Sequence, residues 1–91
     1  MKKITNSMIY GQEIKPMKKL ATQHADVYSV FSNDKRVLIF WLLAGHEMSV
    51  QDIANAVGTS VQNTSQHLRL MKTKRILDFR REGNTILYKV S

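Results

Sequence analysis

The sequence has no cysteine, which excludes disulfides, thiolate metal sites and thiol redox chemistry within it. Only one proline and four glycines interrupt 91 residues, so there is little room for a chain-breaking linker, and one domain is expected. Long hydrophobic runs are also missing. The longest, Val37 to Ala44, is far below the roughly 20 residues needed to cross a bilayer. The opening MKKITNSMIYGQEIKP is positively charged but has no sustained apolar stretch, so no signal peptide is expected. These absences fit a protein of the reducing cytoplasm, and no membrane partner is expected.

Catalytic and metal-binding constellations are equally scarce. There is no glycine-rich phosphate loop, no nucleophile with a nearby base in sequence and no cluster among the seven Asp+Glu. An enzyme is therefore not expected. The three histidines, His24, His46 and His67, fall in separate segments with no i, i+4 pair, whereas zinc wants three or four converging ligands. A site shared across a dimer through His24 is conceivable, but the expectation is no metal and no cofactor. His46 reads as a solvated loop residue, and His67 as either structural or facing a ligand.

What is present is a basic, foldable chain. Apolar residues make up 43% and charged residues 23%, ordinary for a globular domain, with a core small enough for a partner subunit to help stabilise it. Fourteen Lys+Arg against seven Asp+Glu leave a net charge of +7. That excess points to a polyanion, with nucleic acid ahead of a membrane surface because no segment combines a basic face with a broad apolar one.

Periodicity divides the chain into an extension, residues 1–15, and a domain, residues 16–91. In the extension Met8, Ile9, Tyr10 and Ile14 are too apolar for a free tail. From Pro16, suited to a first helical turn, Met17, Leu20, Ala21, His24, Val27, Tyr28 and Phe31 recur at spacings of three and four, one stripe of a helix over 16–31. The inner half of that stripe is expected to cover the protein's own core. Asn33 or Asp34 would cap a second helix, Lys35 to Ala44, apolar around nearly its whole circumference, with Gly45 at its end.

Ser49 would cap a third helix, with Asp52 answering its N–H, and Val50, Ile53, Ala54 and Val57 turned inward before Gly58 stops it. Thr59 or Ser60 would cap a fourth, running to about Lys74, with Val61, Thr64, Leu68 and Met71 buried. Residues 49–74 thus read as a helix-turn-helix. Over 76–91 the period shifts to two, predicting a hairpin that turns at Glu82 to Thr85, with Gly83-Asn84 suited to positive φ. The expected class is mainly α with a small β-hairpin: a winged helix-turn-helix.

A helix that only covers a core would usually carry Glu and Lys on its outer face. The fourth helix instead carries Gln62, Asn63, Gln66, Arg69 and Thr73 there. Amide and hydroxyl groups both donate and accept, and so match base edges and phosphate oxygens. In the wing, Arg80 and Arg81 point to opposite sides of a strand, so at most one enters a groove while the other flanks the backbone. Between His67 and Ser91 there are seven Lys+Arg and two Asp+Glu, a concentration that a uniformly solvated surface would not produce.

VFSNDKRVLIFWLL, MSVQDIANAVGTSVQNTSQHLRLMK and ILDFRREGNTILYKV together resemble the ArsR-type winged-helix repressors of prokaryotes, over roughly Val27 to Ser91. The most specific parts are Ser65-Gln66-His67-Leu68 and Arg80-Arg81-Glu82-Gly83. The resemblance implies a homodimeric repressor on a palindromic double-stranded DNA operator, released by an inducer. It brings Ser65, Gln66 and His67 to the DNA beside Gln62 and Asn63, with wing arginines on the flanks.

Ser60, Arg69, Arg80, Arg81, Asn84 and Thr85 complete the expected DNA-facing set. Metal-sensing members carry Cys pairs where this sequence has Met48 and Val50, so that site is absent. Many members also have a helix after the wing that builds the dimer. With the sequence ending at Ser91, the expected dimer surface is Met17, Leu20, His24, Val27, Tyr28 and Phe31. Two rivals remain open: a winged helix that contacts protein or RNA, and an architectural DNA binder without sequence preference.

Overall fold

Asn33 caps the first helix that enters the packed core. Its side-chain oxygen accepts from the backbone N–H of Lys35 (2.9 Å) and Arg36 (3.2 Å), satisfying two of the four donors a helix start leaves open. In this computed structural model the backbone is described for residues 8–9 and 12–91, and side chains from Ile14 onward.

The element order is β1 (Met8–Ile9), β2 (Gln12–Glu13), α1 (Ile14–Ser29), a 3-10 turn (Val30–Ser32), α2 (Asp34–Leu43), β3 (Met48–Ser49), α3 (Val50–Val57), α4 (Val61–Thr73), β4 (Leu77–Glu82) and β5 (Thr85–Val90). β1 and β2 form a two-residue antiparallel ladder. Of the apolar residues expected to pack, Met8, Ile9 and Tyr10 lie outside the described side chains, and Ile14 is half-buried at the start of α1. No helix among the described residues is long and apolar enough to cross a membrane.

Local chemistry sets each boundary. Ser49 accepts from the Asp52 N–H (3.2 Å), and Ser60 accepts from the Asn63 N–H (3.0 Å), so each caps its helix. Ser49 also belongs to β3, where it sits opposite Leu87. Gly58 closes α3 in the left-handed region (φ 73°), which leaves only Thr59 and Ser60 between the two helices. At the end of α4, Arg75 N–H bonds to Lys72 C=O and Ile76 N–H to Met71 C=O, both at 2.9 Å: a Schellman motif with Arg75 (φ 61°), not glycine, in the left-handed position.

The core is a wedge between α2, α3 and α4. Ile39 and Leu43, Ile53 and Val57, and Leu68 and Met71 meet there, closed by Val30 and Leu77. The wing joins it through a three-stranded sheet of order β3-β5-β4, with Met48, Tyr88 and Val90 packed against the core. The third strand was not visible in the periodicity, which predicts only the β4–β5 hairpin. Its turn has positive φ at Gly83 (63°) and not at Asn84, the sign pattern of a type II′ connection.

Three burial expectations are overturned. α1 starts at Ile14, not Pro16, and has no buried residue at all, so its stripe does not cover the protein's own core. It points past the body, and the radius of gyration is 18.2 Å, against about 12 Å for a compact chain of this length. α2 is not enclosed, because only one side meets α3, α4 and β5; Leu38 is 39% and Trp41 70% exposed. Val61, in the first turn of α4, is 39% exposed because the ridge of that helix begins at Thr64.

Two basic side chains at the start of α2 fix the helix-turn-helix to the body. Lys35 Nζ donates to the carbonyl of Val57, the last residue of α3 (3.1 Å). Arg36 Nε donates to Val30 C=O (2.6 Å), and its NH1 lies 3.5 Å from His67 Nδ1 on α4. Burial lowers the pKa of His67, the Arg36 guanidinium pushes it the same way, and Asp34 opposes them.

Two substitutions test this packing. Thr64 is fully buried, and its hydroxyl has no partner among the described residues. Thr64→Val should therefore raise unfolding free energy by about 1 kcal/mol in urea titrations, by removing a desolvated donor. Because the pKa of His67 is lowered in the folded chain, the unfolded chain binds the proton more readily. Stability should be intact above the ordinary histidine pKa near 6.5 and decline as pH falls through it toward the lower folded value. His67→Gln should flatten that decline between pH 7 and pH 5; an unchanged profile would show that His67 does not carry it.

Candidate nucleic-acid interface

α4 is buried on one ridge, Thr64, Leu68 and Met71, and open on the other side. Gln62, Asn63, Gln66, Arg69 and Thr73 are exposed, on the turns opposite that ridge. Ser65 is half-buried at the edge of the open face. His67 is half-buried on the α2 side, against Arg36, which removes it from the centre of the amide face. Asn63 Nδ2 also reaches Thr59 Oγ1 at 3.4 Å, a weak bond that leaves its carbonyl oxygen free to turn outward.

The wing gives its two arginines different surroundings. Register pairs Arg80 with Leu87 on one face of the sheet and Arg81 with Ile86 on the other. Arg80 spans the width of the sheet to Glu47, Nε to Oε2 at 2.8 Å and NH2 to Oε1 at 3.1 Å, and also meets Glu82 Oε2 at 3.1 Å. The bond from Arg80 holds the Glu47 carboxyl below its ordinary pKa, and Glu47 raises that of Arg80 in return. This forked pair laces β4 to the start of β3.

Arg81 lies on the face shared with Leu77 and Phe79, which turns toward α4, and meets no carboxylate within salt-bridge distance among the described residues. Lys72 of α4 sits 4.1 Å above the Phe79 ring, joining helix and wing. Asn84 and Thr85 are exposed at the tip. Gln66 and Arg69 on α4, and Arg81 on the face of the wing that carries Leu77 and Phe79, are open polar groups, whereas Arg80 lies on the other face of the sheet.

Sequence reasoning missed the roles of Lys35, Arg36 and Glu47. A signal existed for the first two. Cations at a helix N-terminus oppose its dipole, so a Lys-Arg pair directly after Asp34 needs another partner. The Glu47 contact depends on β3 and had no signal in the periodicity.

The feature of α1 that bears on assembly is its exposed stripe. Met17 (40%), Leu20 (53%) and Tyr28 (69%) face solvent, with His24 beside Tyr28 at 6.3 Å between ring centroids. Val27 is half-buried, and Phe31, in the 3-10 turn, packs on Phe40 at 5.3 Å. Phe31 therefore serves the body, not the open stripe.

Comparison with known proteins agrees with this geometry. The model of the bacterial regulatory protein arsR family matches residues 33–78, from the α2 cap into β4. The chain is 37% identical over 65 residues to the HTH-type transcriptional regulator KmtR of Mycobacterium tuberculosis, covering 71% of this chain and 50% of that protein. It is 38% identical over 76 residues to the cadmium resistance transcriptional regulatory protein CadC homolog of Staphylococcus aureus, covering 78% and 63%. The chain thus spans about half to two thirds of the length of these relatives.

Among solved structures, the homodimeric winged helix-turn-helix DNA-binding domain Mb0332 from Mycobacterium bovis superposes with a TM-score of 0.78 at 32% identity, covering 90% of this chain and 75% of that one. The cap-to-wing match, the relatives and the shared architecture agree: the chain belongs to the ArsR family of bacterial regulatory proteins.

Proposed function

We propose that the protein is a sequence-specific transcriptional regulator of double-stranded DNA that acts as a homodimeric repressor on a palindromic operator in the cytoplasm. The observation that carries this reading is the outer face of α4, where Gln62, Asn63, Gln66 and Arg69 are all exposed while Thr64, Leu68 and Met71 lock the opposite ridge. α4 enters the major groove, and the amides of Gln62, Asn63 and Gln66 read base edges. Ser60, Ser65, Asn84 and Thr85 hydrogen-bond phosphates, and Arg69 and Arg81 supply charge at helix and wing. His67 acts from beside Arg36 by seating α4, and Arg80 acts by shaping the wing through Glu47. Repression then needs only occupancy of the operator.

The unburied stripe of α1 supports a two-fold pairing through Met17, Leu20, His24, Val27 and Tyr28, with Phe31 at its root. Such a dimer sets two α4 helices one turn of DNA apart, about 34 Å, on a palindrome. No metal, cofactor or catalytic step enters this mechanism.

Selection of bound duplexes from a random pool tests the reading, followed by a salt series on the winner. Gln66→Ala should weaken binding to the selected site by about 5- to 150-fold, the 1–3 kcal/mol of a base contact, and leave random duplexes nearly unaffected. Arg81→Ala should weaken both and lower the slope of log K against log salt by about 0.9, one phosphate contact. No enrichment of any duplex would replace the sequence-specific reading with an architectural one.

A further inference from the structure

Arg80 turns its guanidinium across the sheet instead of along it toward the tip of the wing. Glu47 lies just ahead of β3, and β5 stands between β3 and β4, so the side chain reaches past a whole strand to meet it. Met48 and Phe79 both pair with Tyr88, which places Glu47 farther from the tip than Arg80 itself. Both Glu47 oxygens accept, one from Nε and one from NH2, the forked geometry that suits a guanidinium best. Glu82, two residues on and on the same face of β4, adds a single bond. Lys89 attracts the Glu47 carboxylate from β5, but among the described residues the two form no ion pair.

Stability alone is a poor account of this fork. Arg80 is 48% and Glu47 34% exposed, and exposed ion pairs contribute little to folding. The sheet is already held by the ladder of β4 with β5 and by the pairing of β3 with β5. What the fork does change is where a cation stands. Register puts Arg80 opposite Leu87, two residues back from the Glu82–Thr85 pair at the tip, about 7 Å along the strand. An arginine there that nothing held would be free to swing along the strand toward a phosphate at the tip.

We propose that Glu47 is a positioning residue of the DNA interface: it acts through Arg80, holding that guanidinium off the phosphate backbone and so limiting the sequence-independent part of the affinity. The proposal rests on the DNA-binding reading and adds to it a restraint on charge. Each phosphate that a protein neutralises strengthens binding to every duplex alike. With Arg80 withheld, the open arginine of the wing is Arg81, which lies on the other face of the sheet and meets no carboxylate at ion-pair distance among the described residues. Discrimination is then left to the amides of α4.

Glu47→Gln tests this in the full chain, because it removes the charge and keeps the shape. In fluorescence anisotropy titrations it should tighten binding to the selected duplex and to a random one. The slope of log K against log salt should steepen by about 0.9, one added phosphate contact, making the gain about 3.5-fold larger at roughly 50 mM salt than at roughly 200 mM. Glu82→Gln removes the same charge nearer the tip but leaves the fork in place, so it should tighten binding less. A gain from Glu82→Gln as large as that from Glu47→Gln would mean simple relief of repulsion and would overturn the proposal. So would unchanged or weaker binding by Glu47→Gln, which would leave the fork as a brace of the sheet. Arg80→Ala breaks the fork from its other end and should keep the wild-type salt slope; a slope lower by about 0.9 would place Arg80 on a phosphate already and overturn the proposal too. A wild-type chain that binds no duplex would overturn the DNA-binding reading itself.

Discussion

Leu68 and Met71 pin α4 to α2 and α3 along one narrow ridge, and the rest of the molecule follows from how narrow that ridge is. Both side chains are fully buried, against Ile39, Leu43, Ile53 and Val57. Burying one such side chain is worth about 1.5–3 kcal/mol, so this small cluster supplies a large share of the stability available to a domain of this size. Because three residues of α4 suffice to hold it, the remaining turns are free of packing duty. That freedom is what lets amides replace the Glu and Lys of an ordinary solvated face. Lys35 and Arg36 then fix the angle at which the face is offered, one at the end of α3 and the other beside His67.

α1 obeys the opposite constraint. A 16-residue helix with no fully buried residue gains little from tertiary packing, and isolated helices of that length are marginal in water. A surface beyond its own body would therefore add to its stability. If that surface is a second subunit, forming α1 and pairing two recognition helices become one event. Dimer geometry then reaches α4 along two routes, the 3-10 turn Val30–Ser32, whose Val30 carbonyl Arg36 grips, and the Asp26–Lys74 ion pair at the far end of α4. The ion pair is partly exposed and contributes little to stability alone; its value lies in direction.

Much of this was legible in the sequence, for reasons particular to each element. Ser49, Gly58 and Ser60 are strong local signals, since a cap or a positive φ is settled by a few neighbouring residues, and they delimit the helix-turn-helix within a residue or two. Gln62, Asn63, Gln66 and Arg69 were legible as an outer face because periodicity needs only the helix itself. Burial of α1 and α2 was not legible, since a stripe records that a helix meets something and not whether that partner belongs to the same chain. β3 is two residues long, too short for period two to register, and with it went the Glu47–Arg80 contact. Arg80 and Arg81 look equivalent as neighbours in sequence; only the register distinguishes them.

That distinction changes what the basic composition means. Seven cations lie between His67 and Ser91, and a simple count would assign them all to phosphates. The fold assigns several elsewhere first: Arg80 to Glu47 and Glu82, Lys74 to Asp26, Lys72 to the face of Phe79. A paired cation must exchange its carboxylate for a phosphate, so it adds less to binding than an open one. Arg69, Arg75 and Arg81 are exposed and meet no carboxylate at ion-pair distance among the described residues. Arg75 stands out because it holds a left-handed backbone conformation that costs a side-chain-bearing residue roughly 1–2 kcal/mol, where glycine would sit without strain. A guanidinium at the end of α4, next to the wing, is a use that glycine could not serve. On the proposed reading, the electrostatic contribution to DNA binding comes from fewer, better-placed charges than the net charge suggests, which leaves more of the discrimination to the amides of α4.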